Sequence, residues 1–147
     1  MRYDEETLLL LESQICFPTY AVFNKILRRY QPLLRKIDLT YTQYIVMMVM
    51  WEKERVSEKE ICEALFLKPN TLSDTLRIME KKGLIDISRD SEDKRKLVIA
   101  ITEKGRDLKT KAIEVPKTLY DEHWMSDEEF DRYRELLYKL LEGDWAK

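Results

Sequence analysis

Several common chemistries are excluded by what this 147-residue chain has little of. Its three glycines, Gly83, Gly105 and Gly143, stand far apart, so no glycine-rich loop exists to cradle a phosphate. Its one histidine, His123, has no cysteine near it, which excludes a tetrahedral His/Cys metal site. Two cysteines, Cys16 and Cys62, make no disulfide framework. No apolar run approaches the ~20 residues of a membrane-spanning helix. Arg2–Glu6 is too charged for a secretion signal, so a cytoplasmic protein with no membrane partner and no cofactor is expected.

What remains is a globular composition, with 44% hydrophobic and 37% charged residues, in a length suited to one domain. The net charge of −2 is unevenly spread. Residues 67–97 carry eight Lys/Arg against six Asp/Glu, whereas residues 98–147 carry nine against twelve. The middle third is therefore the part able to meet a polyanion.

The periodicity gives an element order. Pro18 and Pro32 bracket a helical pattern with apolar Tyr20, Ala21, Phe23, Ile26, Leu27 and Tyr30. "TYTQ" (40–43) is a capping box for a helix to about Glu52 that is apolar all round and so expected in the core, its methionines Met47, Met48 and Met50 included. "SEKE" (57–60) caps a short helix, and "LKPNT" opens another with Pro69 in its first turn, a core stripe of Leu72, Leu76 and Met79, and Gly83 as its stop. The short connection is a helix-turn-helix pattern. The period then changes to two: "LIDISR" and "KLVIAI" flank the polar tip "DSEDKR", predicting a two-stranded ribbon. Thr102 caps a helix to about Asp121, and "SDEE" (126–129) caps a last one with Phe130, Tyr133, Leu137, Leu140 and Leu141 on one face.

These elements predict a mainly α fold with a small β-wing, a winged helix-turn-helix spanning 1–147. Residues of about 40–101 form the DNA-binding core and wing. The helices of about 1–36 and 103–147 carry more apolar surface than a small domain covers, which predicts a homodimer interface. A dimer would present two recognition helices to a pseudopalindromic double-stranded DNA operator. On the recognition helix, Asn70, Asp74, Arg77 and Lys81 fall opposite the core stripe, flanked by Thr71 and Ser73. Arg77 suits guanine or phosphate, Asn70 adenine and Asp74 cytosine N4. Lys68 stands where a small polar cap is usual.

The chain resembles the MarR family of bacterial transcriptional regulators. The wing phrase "DSEDKRKLVIAITEKG" (90–105) is similar to that family's Asp-x-Arg wing with a following Thr-Glu-x-Gly, Asp93 and Arg95 taking the Asp and Arg places. "LESQICFPTYA" (11–21), "RRYQPLL" (28–34) and "LTYTQYIVMMVMWE" (39–52) resemble the organic-hydroperoxide-sensing, OhrR-like branch. The resemblance implies a repressor, not an enzyme. It implies Arg95 in a minor groove oriented by Asp93, with Lys94 and Lys96 at phosphates. It also implies that Cys16 is a sensing thiol whose thiolate is stabilised by Tyr30 and Tyr41. Tyr20, one turn from Cys16, is a local donor candidate. Cys16 and Tyr30 are 14 residues apart on one helical pattern, hence ~21 Å along its axis, so contact requires the second subunit. Cys62 is expected to pack rather than react, and no cysteine follows it, so oxidised Cys16 would meet a small thiol or further oxidant. His123 and Trp124 are expected to be structural. Two alternatives stay open: a non-covalent aromatic effector with Cys16 inert, and a thiol peroxidase.

Overall fold

The structure, a computed structural model, describes residues 5–144. It separates into two compact units, residues 1–115 and 116–147.

In the first unit, a 3-10 turn (Leu11–Ser13) precedes α1 (Cys16–Arg35). Pro18 sits in the first turn, where the missing N–H costs nothing. The helix does not stop at Pro32 as the sequence pattern suggests but runs through it. Pro32 removes one ladder bond, while Leu34 and Leu39 just beyond it are buried and hold the last turn on the core. Along α1 the residues from Cys16 to Tyr20 are exposed, and burial begins only in its second half.

The Thr40 capping box forms as expected and opens α2 (Tyr41–Lys53). Tyr44, Val46, Met47, Val49 and Met50 are buried, but Met48 is half-exposed, so α2 is not covered all round. α3 (Glu58–Leu65), capped by Ser57, and α4 (Pro69–Lys81) complete the reading head. Ile61, Leu72, Leu76 and Met79 meet the α2 side chains in the core. α4 has Pro69 at its start and no side-chain cap from Lys68. It ends at Gly83, whose φ of +72° is the left-handed conformation that favours glycine.

The ribbon has a third strand. β1 (Arg55–Ser57) pairs antiparallel with β3 (Leu97–Ile101), which pairs with β2 (Ile85–Arg89), in the order β1-β3-β2. Three residues with one buried side chain, Val56, are too few for alternation to show. Thr102 caps α5 (Glu103–Ala112). The long helix expected to about Asp121 breaks at Ile113, and α6 (Glu114–Tyr120) follows. Pro116 explains the break, because it has no N–H for the Ala112 carbonyl.

The second unit contains α7 (Asp127–Glu142), opened by the Ser126 capping box. Tyr120 packs edge-on against Phe130 at 5.2 Å, and the Arg134 guanidinium lies over the Phe130 ring. Leu136, Tyr138, Leu140 and Leu141 of α7 are exposed. Trp124 donates its indole N–H to Glu122, and the His123 amide donates to the Tyr120 carbonyl, so both residues shape the connection. Among the described residues, no helix is long and apolar enough to cross a membrane.

Candidate nucleic-acid interface and thiol site

α4 buries Leu72, Leu76 and Met79 and therefore turns Asn70, Thr71, Asp74, Arg77 and Lys81 outward, where all five are exposed. Asp74 and Arg77, one turn apart, pair at 3.7 Å. Both are largely in water, so the pair adds little stability and leaves the two groups available. Ser73 differs from its neighbours. It is half-buried and its hydroxyl donates to Glu58 Oε1 at 2.7 Å, tying α4 to α3. It orients the helix pair from within.

The hairpin tip is closed by its own polar groups. Asp90 accepts from the amides of Glu92 and Asp93, both at 2.9 Å, an Asx turn readable in "DSED". The Asp90 and Lys96 amides donate to the Lys96 and Asp93 carbonyls. Asp93 Oδ1 accepts from both the amide and Nε of Arg95, each at 3.1 Å. These contacts leave the Arg95 side chain 91% exposed, aimed outward by a fixed partner. The side-chain and then the backbone bond from Arg95 hold the Asp93 carboxyl below its usual range; the Asp93 and Glu92 amides do the same for Asp90. Arg89, missed in the sequence, donates from Nη1 to the Lys94 carbonyl and braces the tip from the strand. Lys94 and Lys96 are exposed beside it.

The wing is joined to the reading head at Gly105. A Cβ there would lie 2.2 Å from the Leu84 carbonyl oxygen, so only glycine fits. The Trp51 indole donates to the Gly105 carbonyl, and the Thr102 hydroxyl donates to the Gly83 carbonyl. The Thr-Glu-x-Gly phrase thus locks α5 against the end of the recognition helix.

Cys16 is the first residue of α1 and is exposed. Around it Ile15, Phe17, Tyr20, Val22 and Phe23 also face water, and Tyr20 is 69% exposed. A groove of about 480 Å³ lined by Leu10, Leu11, Glu12, Gln14, Phe17 and Pro18 runs beside it. Tyr30 and Tyr41 are elsewhere. Their rings pack edge-to-face at 5.5 Å, with Phe23 against Tyr41 and Tyr44 against Tyr30 at 6.0 Å each. Because α1 is continuous, Tyr30 stands ~21 Å along the axis from Cys16. The structure brings the two tyrosines together and keeps Tyr30 from the thiol of its own chain. Burial pushes the Tyr41 phenol up, and burial followed by Tyr41 raises Tyr44, so both remain protonated donors.

Cys62, half-buried in α3, has its thiol pushed up by burial first and then by Glu58 and Glu63. No group of three or more His, Cys, Asp or Glu suited to a metal occurs among the described residues.

Comparison with known proteins agrees with this architecture. The profile of the transcriptional regulator SarA/Rot family matches residues 28–112. The organic hydroperoxide resistance transcriptional regulator of Bacillus subtilis (strain 168) is 39% identical over 132 residues, 90% of each chain. Crystallised AbfR, a Staphylococcus epidermidis protein, is 28% identical. Its reduced form bound to DNA superposes with a TM-score of 0.77, covering 92% of this chain and 95% of that one. Its overoxidized form bound to DNA superposes with a TM-score of 0.79, covering 93% and 97%. These relatives are transcriptional regulators. With its winged helix-turn-helix, its Asp-x-Arg wing, the SarA/Rot profile over residues 28–112 and an organic hydroperoxide resistance regulator alike over nine-tenths of its length, the chain belongs to the MarR-type transcriptional regulators, in the organic-hydroperoxide branch.

Proposed function

We propose that the protein is a homodimeric repressor that holds a pseudopalindromic double-stranded DNA operator while Cys16 is reduced and releases it after Cys16 is oxidised. Asn70, Thr71, Asp74, Arg77 and Lys81 read the major groove, Arg95 enters the minor groove under the control of Asp93, and Lys94 and Lys96 meet phosphates. Ser73 supports this face through Glu58. The segments of about 1–36 and 103–147 form the dimer interface, and about 40–101 the DNA-binding core and wing.

One observation carries the redox part. The thiol heads a helix whose surrounding apolar side chains are exposed in the single chain, while Tyr30 stands ~21 Å along the same helix with the Tyr41 ring of α2 packed against it. A second copy supplies both what is missing, a cover for the apolar face and a donor for the thiolate. Tyr30 and Tyr41 come from the partner, and Tyr20 from the same chain.

The thiolate attacks one peroxide oxygen of an organic hydroperoxide. The O–O bond breaks, the alcohol leaves, and Cys16 becomes a sulfenate. A small thiol then attacks the sulfenic acid, forming a mixed disulfide and water. The leucine-lined groove favours an organic peroxide, with hypochlorite the related oxidant. AbfR is found on DNA in an overoxidized form. A sensor is oxidised in a single stoichiometric event per chain; many cycles of cumene hydroperoxide turnover with a thiol reductant would instead mark a peroxidase.

The test is a gel shift on a duplex selected from random DNA, with cumene hydroperoxide and a small thiol added. Wild type should release the duplex, and Cys16→Ser should bind equally and ignore the oxidant. Release by Cys16→Ser would refute the assignment.

A further inference from the structure

The thiol lies at the start of α1 and the reading face on α4, and one side chain joins the far end of the first to the end of the second. Lys82 follows the last residue of α4. Its ammonium donates to the Asp38 carbonyl at 2.5 Å and to Gln43 Oε1 at 3.2 Å, and lies 3.2 Å from Asp38 Oδ2. An ammonium has three donors, and three oxygens meet them here. Asp38 belongs to the turn that closes α1, where its amide donates to the Arg35 carbonyl and its φ is +53°. Gln43 is the buried polar residue of the core, at 3% exposure, and its Oε1 also accepts from the Thr40 amide in the capping box of α2. At its other end, the Lys82 carbonyl accepts from Lys104 Nζ of α5 at 2.6 Å.

One residue therefore grips the end of α1, the start of α2 and the first turn of α5 while being covalently the end of the recognition helix. Arg77 and Lys81 sit five residues and one residue before it. The side chain of Lys82 is 25% exposed but that of Asp38 is 87% exposed. If Lys82 is shortened or neutralised, water can reach Asp38, and Gln43 retains the Thr40 amide. The grip thus contributes modestly to stability. Its geometry suits a different task, keeping the turn and the recognition helix in one fixed relation.

We infer that Lys82 is a positioning residue that transmits displacement of α1 to the recognition helix, so that a change at Cys16 alters the grip on DNA. α1 is one helix of 20 residues, ~30 Å long, that joins the thiol at its first residue to the Asp38 turn beyond its last, so a displacement of the helix is felt at that turn. Lys82 passes that motion to α4. This rests on the redox function proposed above.

The test measures coupling as the ratio of operator affinities before and after oxidation, on wild type, Lys82→Met and Lys82→Arg, by fluorescence anisotropy. A dimedone label on parallel samples quantifies sulfenate at Cys16, so that equal oxidation is known. Wild type should lose affinity by about 5- to 150-fold. Lys82→Met should bind the operator when reduced, oxidise equally, and show a coupling smaller by about 2- to 30-fold. Lys82→Arg, which keeps charged donors at the site, should recover most of it. Full release by oxidised Lys82→Met would overturn the assignment, as would equal behaviour of the Met and Arg variants. So would loss of reduced-state binding in Lys82→Met, which would make Lys82 a builder of the reading head instead of a link. Retention of DNA by fully oxidised wild type would refute the redox function itself, a distinct result.

Discussion

The wing and the start of α1 carry the two sharpest sequence motifs, and they are built to opposite standards. At the wing tip every group that aims Arg95 belongs to the same short hairpin: Asp93 on its Nε, Asp90 on the turn amides, Arg89 on the Lys94 carbonyl. At the start of α1 the thiol and its apolar neighbours Ile15, Phe17 and Tyr20 face water, and Tyr30 and Tyr41 are committed to a ring cluster further along. A group that must grip DNA in every subunit is complete within one chain. On the function proposed above, a group that reports on the relation between subunits gains by being incomplete in one.

The join between wing and reading head offers the largest effect. Gly105→Ala forces a methyl toward the Leu84 carbonyl oxygen, 2.2 Å from an ideal Cβ and, being backbone, unable to swing aside. Overpacking of this kind costs about 1–3 kcal/mol or more, which urea denaturation should register. Because α5 and the end of α4 must part, DNA affinity should fall with stability. An unchanged denaturation midpoint would mean that the two elements slide freely.

Next comes the wing itself. Arg95→Ala should weaken operator binding by roughly tenfold or more at fixed salt, since one such contact is worth about 1–3 kcal/mol, while the fold melts as before. The latch on Arg95 also has a pH sense. Asp93 has a lowered carboxyl in the folded protein, so its contribution is present above the ordinary carboxylate value of ~3.9 and is lost only as pH falls through the lowered one. The wing should therefore keep its geometry throughout mild acid, as amide shifts of Glu92, Asp93 and Arg95 would report. Loosening near neutral pH would contradict the assignment.

The smallest effect tests the incomplete side. Tyr30→Phe keeps the ring against Tyr41 and removes a donor, and a hydrogen bond to a charged acceptor contributes about 1.5–3 kcal/mol. Oxidation of Cys16 near neutral pH should slow by about tenfold, the lower end of that range, with reduced-state DNA binding intact. Heterodimers locate the donor. With Cys16→Ser in one chain and Tyr30→Phe in the other, the surviving thiol faces an intact partner phenol and should react normally. With both changes in one chain it faces a phenylalanine and should react slowly. The reverse pair of rates would show that the phenol acts within its own subunit.

How far each region could be read from sequence follows the same division. Capping boxes at Thr40, Ser57 and Ser126 are local chemistry and appear where the sequence puts them. The outward face of α4 follows from its buried stripe. What escaped notice was set by partners distant in sequence. β1 exists because β3 pairs with it. Ser73 looks like its exposed neighbours until Glu58, 15 residues earlier, accepts the hydrogen bond from its hydroxyl. Lys82 is one of a pair of adjacent lysines, and only the return of the α1–α2 turn, 44 residues before it, sets it apart from Lys81. Pro32 and Pro116 show the limit of punctuation: the first is overridden by buried Leu34, whereas the second breaks its helix.

The bond between Asp93 and Arg95 has one more consequence, which concerns entropy. A free arginine has one of the largest stores of rotamer freedom among side chains, up to about 2 kcal/mol when frozen. Fixing Nε from a carboxylate two residues away restrains the torsions nearest the backbone before any DNA arrives. On the function proposed above, part of the ordering of Arg95 is then done during folding, and its contribution to affinity should vary less with temperature than that of the lysines beside it.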